Sequence, residues 1–250
     1  MPSLEVREVT VRFGGHTAVQ EASFVVEPAA ITGLIGPNGA GKTTLFNVIC
    51  GLQHPERGTV ALEGQDITGL APHLRARRGL ARTFQRLELF GSLTGRENLL
   101  VAAEIRASRS DAGRSAESRA DDIVDLCGIG AFVDRRADEM STGQARLIEL
   151  ARALITEPTV LLLDEPASGL DADETDAFGE LLTVLAGAGL AVLIVEHDVS
   201  LVMAICHKLV VLDYGRIIAD GPPAQVREDP AVIGAYLGTS AGGTAAGSGQ

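Results

Sequence analysis

Residues 4–13 (LEVREVTVRF) partly alternate apolar and polar positions, the period of a strand with one face in a core. The segments 22–26 (ASFVV) and 59–63 (TVALE) carry the same pattern, and Gly14-Gly15 and Glu63-Gly64 read as turns between them. Together they predict a small antiparallel sheet. Residues 31–35, 160–163 and 191–195 are different, being short apolar runs without alternation. Runs of that kind fit parallel strands buried on both faces. Helical spacing falls between them, at 43–50, 175–185 and 200–206. Strand alternating with helix predicts an α/β core. From 88 to 157 the strand signal nearly vanishes, and 98–105, 116–126 and 144–155 all have helical spacing. The pattern therefore divides the chain into an α/β core with an antiparallel β subdomain (1–87 and 158–238) and an inserted helical subdomain (88–157). A tail of Gly, Ala, Ser and Thr at 239–250 has no apolar face to bury and is expected to be disordered.

Composition narrows the function. The chain has 250 residues, 46% of them hydrophobic, which is enough for a sizeable core. Its net charge of −12 argues against a general nucleic-acid binder, because phosphate contacts need a basic footprint. The three cysteines, Cys50, Cys127 and Cys206, have neither metal nor disulfide spacing and are expected to be buried thiols in a reducing compartment. The N-terminus lacks the layout of a signal peptide, and no apolar stretch approaches a membrane span, so the chain alone is not expected to cross a bilayer.

Residues 36–44 read GPNGAGKTT, between an apolar strand and a helical pattern. Gly36, Gly41, Lys42 and Thr43 match G-x-x-x-x-G-K-[ST], a loop that cradles phosphates. A triphosphate is bulky and highly charged, so backbone N–H groups must wrap it, and glycines permit the torsions and the close approach. The helix N-terminus adds a favourable dipole. Lys42 can reach the β- and γ-phosphates, and the Thr43 hydroxyl can ligate Mg²⁺. At 160–166, VLLLDEP, a buried strand ends in two acids. Ligands of open α/β sheets sit at the carboxyl ends of strands. Asp164 is placed to hold Mg²⁺, and Glu165 to polarise the attacking water.

Further segments follow in order: Gln85 in RTFQ, STGQ at 141–144 ahead of a strong helical pattern, SGLD at 168–171, and His197 after LAVLIVE. With the phosphate loop and LLLDEP, this set resembles the ATP-binding cassette (ABC) ATPases over residues 4 to about 238. The resemblance implies a P-loop NTPase core of the RecA-like kind and a site for ATP and Mg²⁺. It assigns Gly36, Pro37, Asn38, Gly39, Ala40, Gly41, Lys42, Thr43 and Thr44 to the phosphates. Phe13 matches the aromatic that stacks on adenine. Gln85 matches a sensor of Mg²⁺ and the attacking water, and His197 matches the histidine that contacts the γ-phosphate and orients Glu165. Ser141, Gly143 and Gln144 match the signature motif, which binds the γ-phosphate held by a second subunit. Met140 and Thr142 replace the residues more common there. Asp171 matches an acid linking the two ATP sites. With Glu174, the same Asp171 also reads as a capping box.

RTFQ, ENLLVA, VEHDVSLVM and DPAVIGAYLG together resemble the motor subunits of branched-chain amino acid importers. The expected partners are transmembrane permease subunits, a second cassette (a copy or a sister chain) and, indirectly, a solute-binding protein, at the cytoplasmic face of the membrane. Motors of urea or amide importers, of lipid or lipopolysaccharide exporters, and a non-transport cytosolic ATPase are the alternatives. The basic cluster Arg75, Arg77, Arg78, Arg82 and Arg86 reads as a solvated face, the alternative being contact with a membrane subunit or anionic lipid.

Overall fold

The computed structural model describes residues 1–107 and 115–240. Two sheets organise it. Strands β1 (Leu4–Phe13), β2 (His16–Val26), β4 (Arg57–Leu62) and β5 (Gln65–Asp66) form an antiparallel sheet in the order β2-β1-β4-β5. The predicted antiparallel unit is there, and its second strand begins at His16, well ahead of residue 22. The larger sheet is built from β3 (Ile31–Ile35), β6 (Leu80–Arg82), β7 (Val160–Asp164), β8 (Ala191–Val195), β9 (Lys208–Asp213) and β10 (Arg216–Gly221). Its order is β10-β9-β3-β8-β7-β6, parallel except for the terminal β9–β10 hairpin.

The apolar runs explain why this sheet is central. Successive side chains point to opposite faces, so a strand covered on both sides needs no polar positions. Leu161, Leu163, Val192, Ile194, Leu209 and Val211 enter one buried core. Their neighbours Leu162, Leu193, Val210 and Leu212 enter the other. The second core is closed by helix α1 (Lys42–Cys50), through Leu45, Phe46 and Ile49, and by the antiparallel sheet. The first is closed by α6 (Ala172–Gly187) and by helices from the middle of the chain: α3 (Gly95–Ala107), α4 (Ala116–Leu126) and α5 (Thr142–Leu154). Leu99 of α3, Ala120 of α4 and Ile148 of α5 are all fully buried there. Among the described residues no strand lies between Arg82 and Val160.

Shorter helices complete the chain: α2 (Pro72–Arg77), α7 (Val199–Ile205), α8 (Pro223–Arg227) and α9 (Pro230–Ser240). Thr239 and Ser240, expected in the tail, end α9; residues 241–250 lie outside the described residues. All three cysteines are buried and unpaired, and burial pushes the Cys127 and Cys206 thiols up to about 12.

Of the basic cluster, Arg77, Arg78 and Arg86 are exposed, as a solvated face requires, while Arg75 and Arg82 depart from that expectation. Arg75 is fully buried. Its guanidinium donates to the carbonyls of Val48 and Ile49 at 2.7 Å each, closing the C-terminal end of α1, and to Thr68 and Leu70 at 2.7 and 2.9 Å. A cation suits the negative end of a helix dipole. Arg82 is also largely enclosed, for reasons that belong to the site.

Candidate functional site

The loop between β3 and α1 is shaped by two glycines. Gly36 has φ 148°, and a Cβ there would stand 2.0 Å from the Leu212 carbonyl oxygen. Gly41 has φ 105°, and its Cβ would meet the Ala18 carbonyl oxygen at 2.4 Å. The loop is thus wedged between β9 and β2, and the Gly215 amide pins its crest by donating to Ala40 O at 2.8 Å. Helix α1 starts at Lys42 with Gly41 as its N-cap and no side-chain cap. Its first N–H groups have no partner in the helix and are available to an anion. Lys42 folds back over the loop, its Nζ donating to Gly36 O at 2.6 Å and Pro37 O at 3.0 Å. Burial holds its pKa below the ordinary lysine range, and the charge of Glu165 opposes that shift. Gly39 leaves open space, with nothing within 4 Å of a Cβ added there. Uncapped amides, a buried ammonium and glycines at closest approach form a donor set that fits a polyphosphate.

The acids lie at the carboxyl end of β7. Arg82 donates to Asp164 Oδ2 at 2.9 Å and to Asn47 Oδ1 at 3.1 Å. Its guanidinium lies over the rings of Phe46 and Phe84, 5.0 and 4.8 Å from their centroids. Among the described residues no donor reaches Asp164 Oδ1, which leaves that oxygen for a cation. Glu165 then turns the chain with a left-handed φ of 48°, and its amide donates to Val195 O at 2.8 Å. That backbone costs an L-residue about 1 kcal/mol. It sends the Glu165 side chain away from Asp164 and into contact with two other loops. Gln85 Nε2 donates to Glu165 Oε2 at 2.7 Å, and His197 Nε2 lies 2.7 Å from Glu165 Oε1. Both Gln85 and His197 are exposed. Glu196, which the sequence pattern does not single out, is buried and ties the loops together. Its carboxylate accepts the amides of Ala167 at 2.7 Å and His197 at 3.0 Å.

Phe13 ends β1 opposite His16, 51% exposed, on the hairpin that leads to Ala18 and the phosphate loop. Ser141 caps α5, its Oγ accepting the Gln144 amide at 3.2 Å while Gln144 Oε1 accepts the Ser141 amide at 3.3 Å. Asp171 and Glu174 make the same reciprocal box on α6, at 2.8 and 3.2 Å. The two helix starts abut, since a Cβ on Gly143 would stand 2.3 Å from Glu174 Oε1. Among the described residues no hydrogen bond or ion pair joins Ser141, Gly143, Gln144 or Asp171 to the phosphate loop or to Glu165. One chain therefore brings together the phosphate loop, Asp164, Glu165, Gln85 and His197, and leaves the 141–144 motif and Asp171 outside that cluster. The residues missed are those that hold others: Arg82, Asn47 and Glu196. Only the position of Arg82 within RTFQ gave a signal.

Comparison with known proteins gives two family matches. Residues 19–168 match the ABC transporter model, and residues 216–242 match the branched-chain amino acid ATP-binding cassette transporter model. The chain is 41% identical to the high-affinity branched-chain amino acid transport ATP-binding protein BraF of Pseudomonas aeruginosa, covering 95% of this chain and 98% of that one. It is 39% identical to LivG of Escherichia coli, which carries the same description, over the same shares. Identity to the lipopolysaccharide export protein LptB of Haemophilus influenzae is 35%, again over 95% of this chain and 98% of that one. Among solved structures, an ATP-binding cassette of an ABC transporter in its ADP conformation superposes with a TM-score of 0.85 at 32% identity, covering 95% of this chain and 99% of that one.

Proposed function

Because the chain belongs to the ABC transporter family as an ATP-binding protein, we propose that it is the ATPase motor of a multi-chain importer of branched-chain amino acids. The Glu165 carboxylate, held between Gln85 and His197 beside Asp164, carries the ATPase part of this reading. The match of residues 216–242 and the 41% identity to BraF support the solute class.

In this reading residues 36–44 bind the triphosphate through backbone N–H groups and Lys42, and Phe13 stacks on the adenine. Mg²⁺, held by Thr43, Asp164 and Gln85, would neutralise charge on the β- and γ-phosphates. Arg82 fixes one oxygen of Asp164 and leaves the other turned to the site. Glu165 takes the proton of the attacking water, Gln85 orients that water, and His197 holds Glu165 and reaches the γ-phosphate. Ser141, Gly143 and Gln144 act on the nucleotide of a second cassette, a copy or a sister chain, and Asp171 couples the two sites. This arrangement explains why the 141–144 motif has no bond to the phosphate loop of its own chain.

Segments 1–87 and 158–238 serve as the nucleotide-binding core, and 88–157 as the helical subdomain that turns against it. A groove of about 560 Å³ runs between them, lined by Leu52, His73, Phe84, Phe90, Ile105 and Arg152 among others. It receives a cytoplasmic helix of the permease. No helix of the described residues is long and apolar enough to cross a membrane, and this groove is the chain's attachment to the cytoplasmic face.

Deleting the gene and measuring uptake of labelled leucine, isoleucine and valine at low external concentration tests the proposal. Uptake should be lost, and a plasmid copy should restore it. Normal leucine uptake with loss of urea or amide uptake would discard the solute. A lipid-export defect with all uptake intact would discard import.

A further inference from the structure

The segment that presents Gln85 is fastened to α5 by a buried ion pair. Arg146 and Glu149 stand one turn apart on that helix, 5% and 3% exposed, with Nη1 and Oε2 3.1 Å apart. Arg146 Nη1 also donates to Phe84 O at 2.9 Å, and Nη2 donates to Gln85 O at 2.5 Å. Glu149 Oε1 accepts the amide of Glu88 at 3.3 Å. Carbonyls 84 and 85 and amide 88 are therefore all held by one helix, the helix that begins with the 141–144 motif. On its other side Phe84 has its ring against the Arg82 guanidinium that grips Asp164.

A surface loop needs no such device. Burial pushes the Glu149 carboxyl above the ordinary range, against Arg146 and the Glu88 amide, which lower it. Enclosing two charges is costly, and here that cost is offset by the backbone groups of residues 84, 85 and 88 that the pair meets. A planar guanidinium reaches two successive carbonyls and a carboxylate from two separate nitrogens in a fixed fork, whereas an ammonium offers all its donors from one nitrogen.

We infer that Arg146 is a positioning residue for Gln85: the Arg146–Glu149 pair makes residues 84–88 an extension of α5, so the distance from the Gln85 amide to Glu165 is set by where α5 lies. The inference rests on the reading of Gln85 and Glu165 as ATPase residues. One rigid helix then carries the motif that meets the partner's nucleotide and the grip on Gln85 in its own site. Displacing α5 withdraws the Gln85 amide from Glu165, and seating α5 returns it.

The test is a double-mutant comparison in the full chain, reading ATP turnover and the dissociation constant of a fluorescent ATP analogue. Arg146→Ala should lower kcat about tenfold or more, the scale of a misplaced catalytic group, with nucleotide affinity within about threefold of wild type. In a Gln85→Ala background the same substitution should change kcat by less than about twofold, because the group it acts through is already gone. Arg146→Lys keeps the charge but not the double reach. It should fall between wild type and Arg146→Ala with the same loss of additivity, and it replaces Arg146→Ala if that variant does not fold. An equal drop in both backgrounds, or a loss of nucleotide affinity parallel to kcat, overturns the inference. Wild-type turnover in Gln85→Ala alone overturns it too, together with the role of Gln85, while the role of Glu165 stands on its own variant.

Discussion

Glu165→Gln lowers ATP turnover by at least about a hundredfold and leaves ATP binding intact. Removing a positioned general base costs about 10²–10⁴ in rate. The substitution is nearly isosteric, and the amide can still meet Gln85 and His197, whose contacts to the carboxylate are 2.7 Å each. Among the described residues Glu165 makes no hydrogen bond to the phosphate cradle, and removing a negative charge that acts on Lys42 gives affinity no reason to fall. Lys42→Ala gives the opposite pattern, because the Nζ now held over Gly36 O and Pro37 O is the cation offered to the phosphates. A hydrogen bond to a charged group contributes about 1.5–3 kcal/mol, so nucleotide affinity should fall roughly 10–100-fold. Steady-state ATPase assays paired with nucleotide titration separate the two. Unchanged turnover in Glu165→Gln would remove the residue from the reaction.

The second large effect is on stability. Arg75→Ala should destabilise the fold by about 3–5 kcal/mol, the range for breaking a buried charged network. Four carbonyl oxygens lose the guanidinium at once, two of them at the end of the helix that starts at the phosphate loop, and of these two Val48 O keeps the Gly51 amide at 3.1 Å. A Cβ on Gly51 would stand 2.7 Å from Arg75 Nε, so the backbone has closed around the guanidinium and cannot easily rearrange. For a chain of this length each kcal/mol shifts Tm by about 2–4 °C. Thermal and denaturant unfolding should both show the loss, with an unchanged m-value. A loss below about 1 kcal/mol would mean that water replaces the guanidinium, and would return Arg75 to the solvated face first expected of it.

How far the sequence reads correctly follows from which forces are local. The runs at 160–163 and 191–195 announce buried parallel strands because both their faces must be apolar. The reciprocal box Asp171–Glu174 is legible because helix N-caps are satisfied by side chains three residues apart. Strand β6, Leu80–Arg82, is too short for any period to show, and it exists because β7 pairs with it. Strand β9 is hidden differently: only Cys206 and His207 separate it from α7, so one apolar stretch holds two elements. Gly36, Lys42, Asp164 and Glu165 stand out because phosphate and water chemistry demand those residue types at those spacings. Arg75, Arg82, Arg146 and Glu196 do not, since their partners are backbone groups and side chains distant in sequence, and a charge by itself reads as solvated. The supports of the site are thus less visible than the groups they hold.

The central claim is that one chain carries half of each ATP site and that a second cassette completes it. Light scattering on Glu165→Gln, with and without ATP and Mg²⁺, tests this most directly, because slowed hydrolysis holds the closed state. The account predicts the monomer mass without nucleotide and twice that mass with it, either for this chain alone or with the transporter's other cassette. A protein saturated with ATP that stays monomeric in both preparations, or an equally stable dimer without nucleotide, would contradict it.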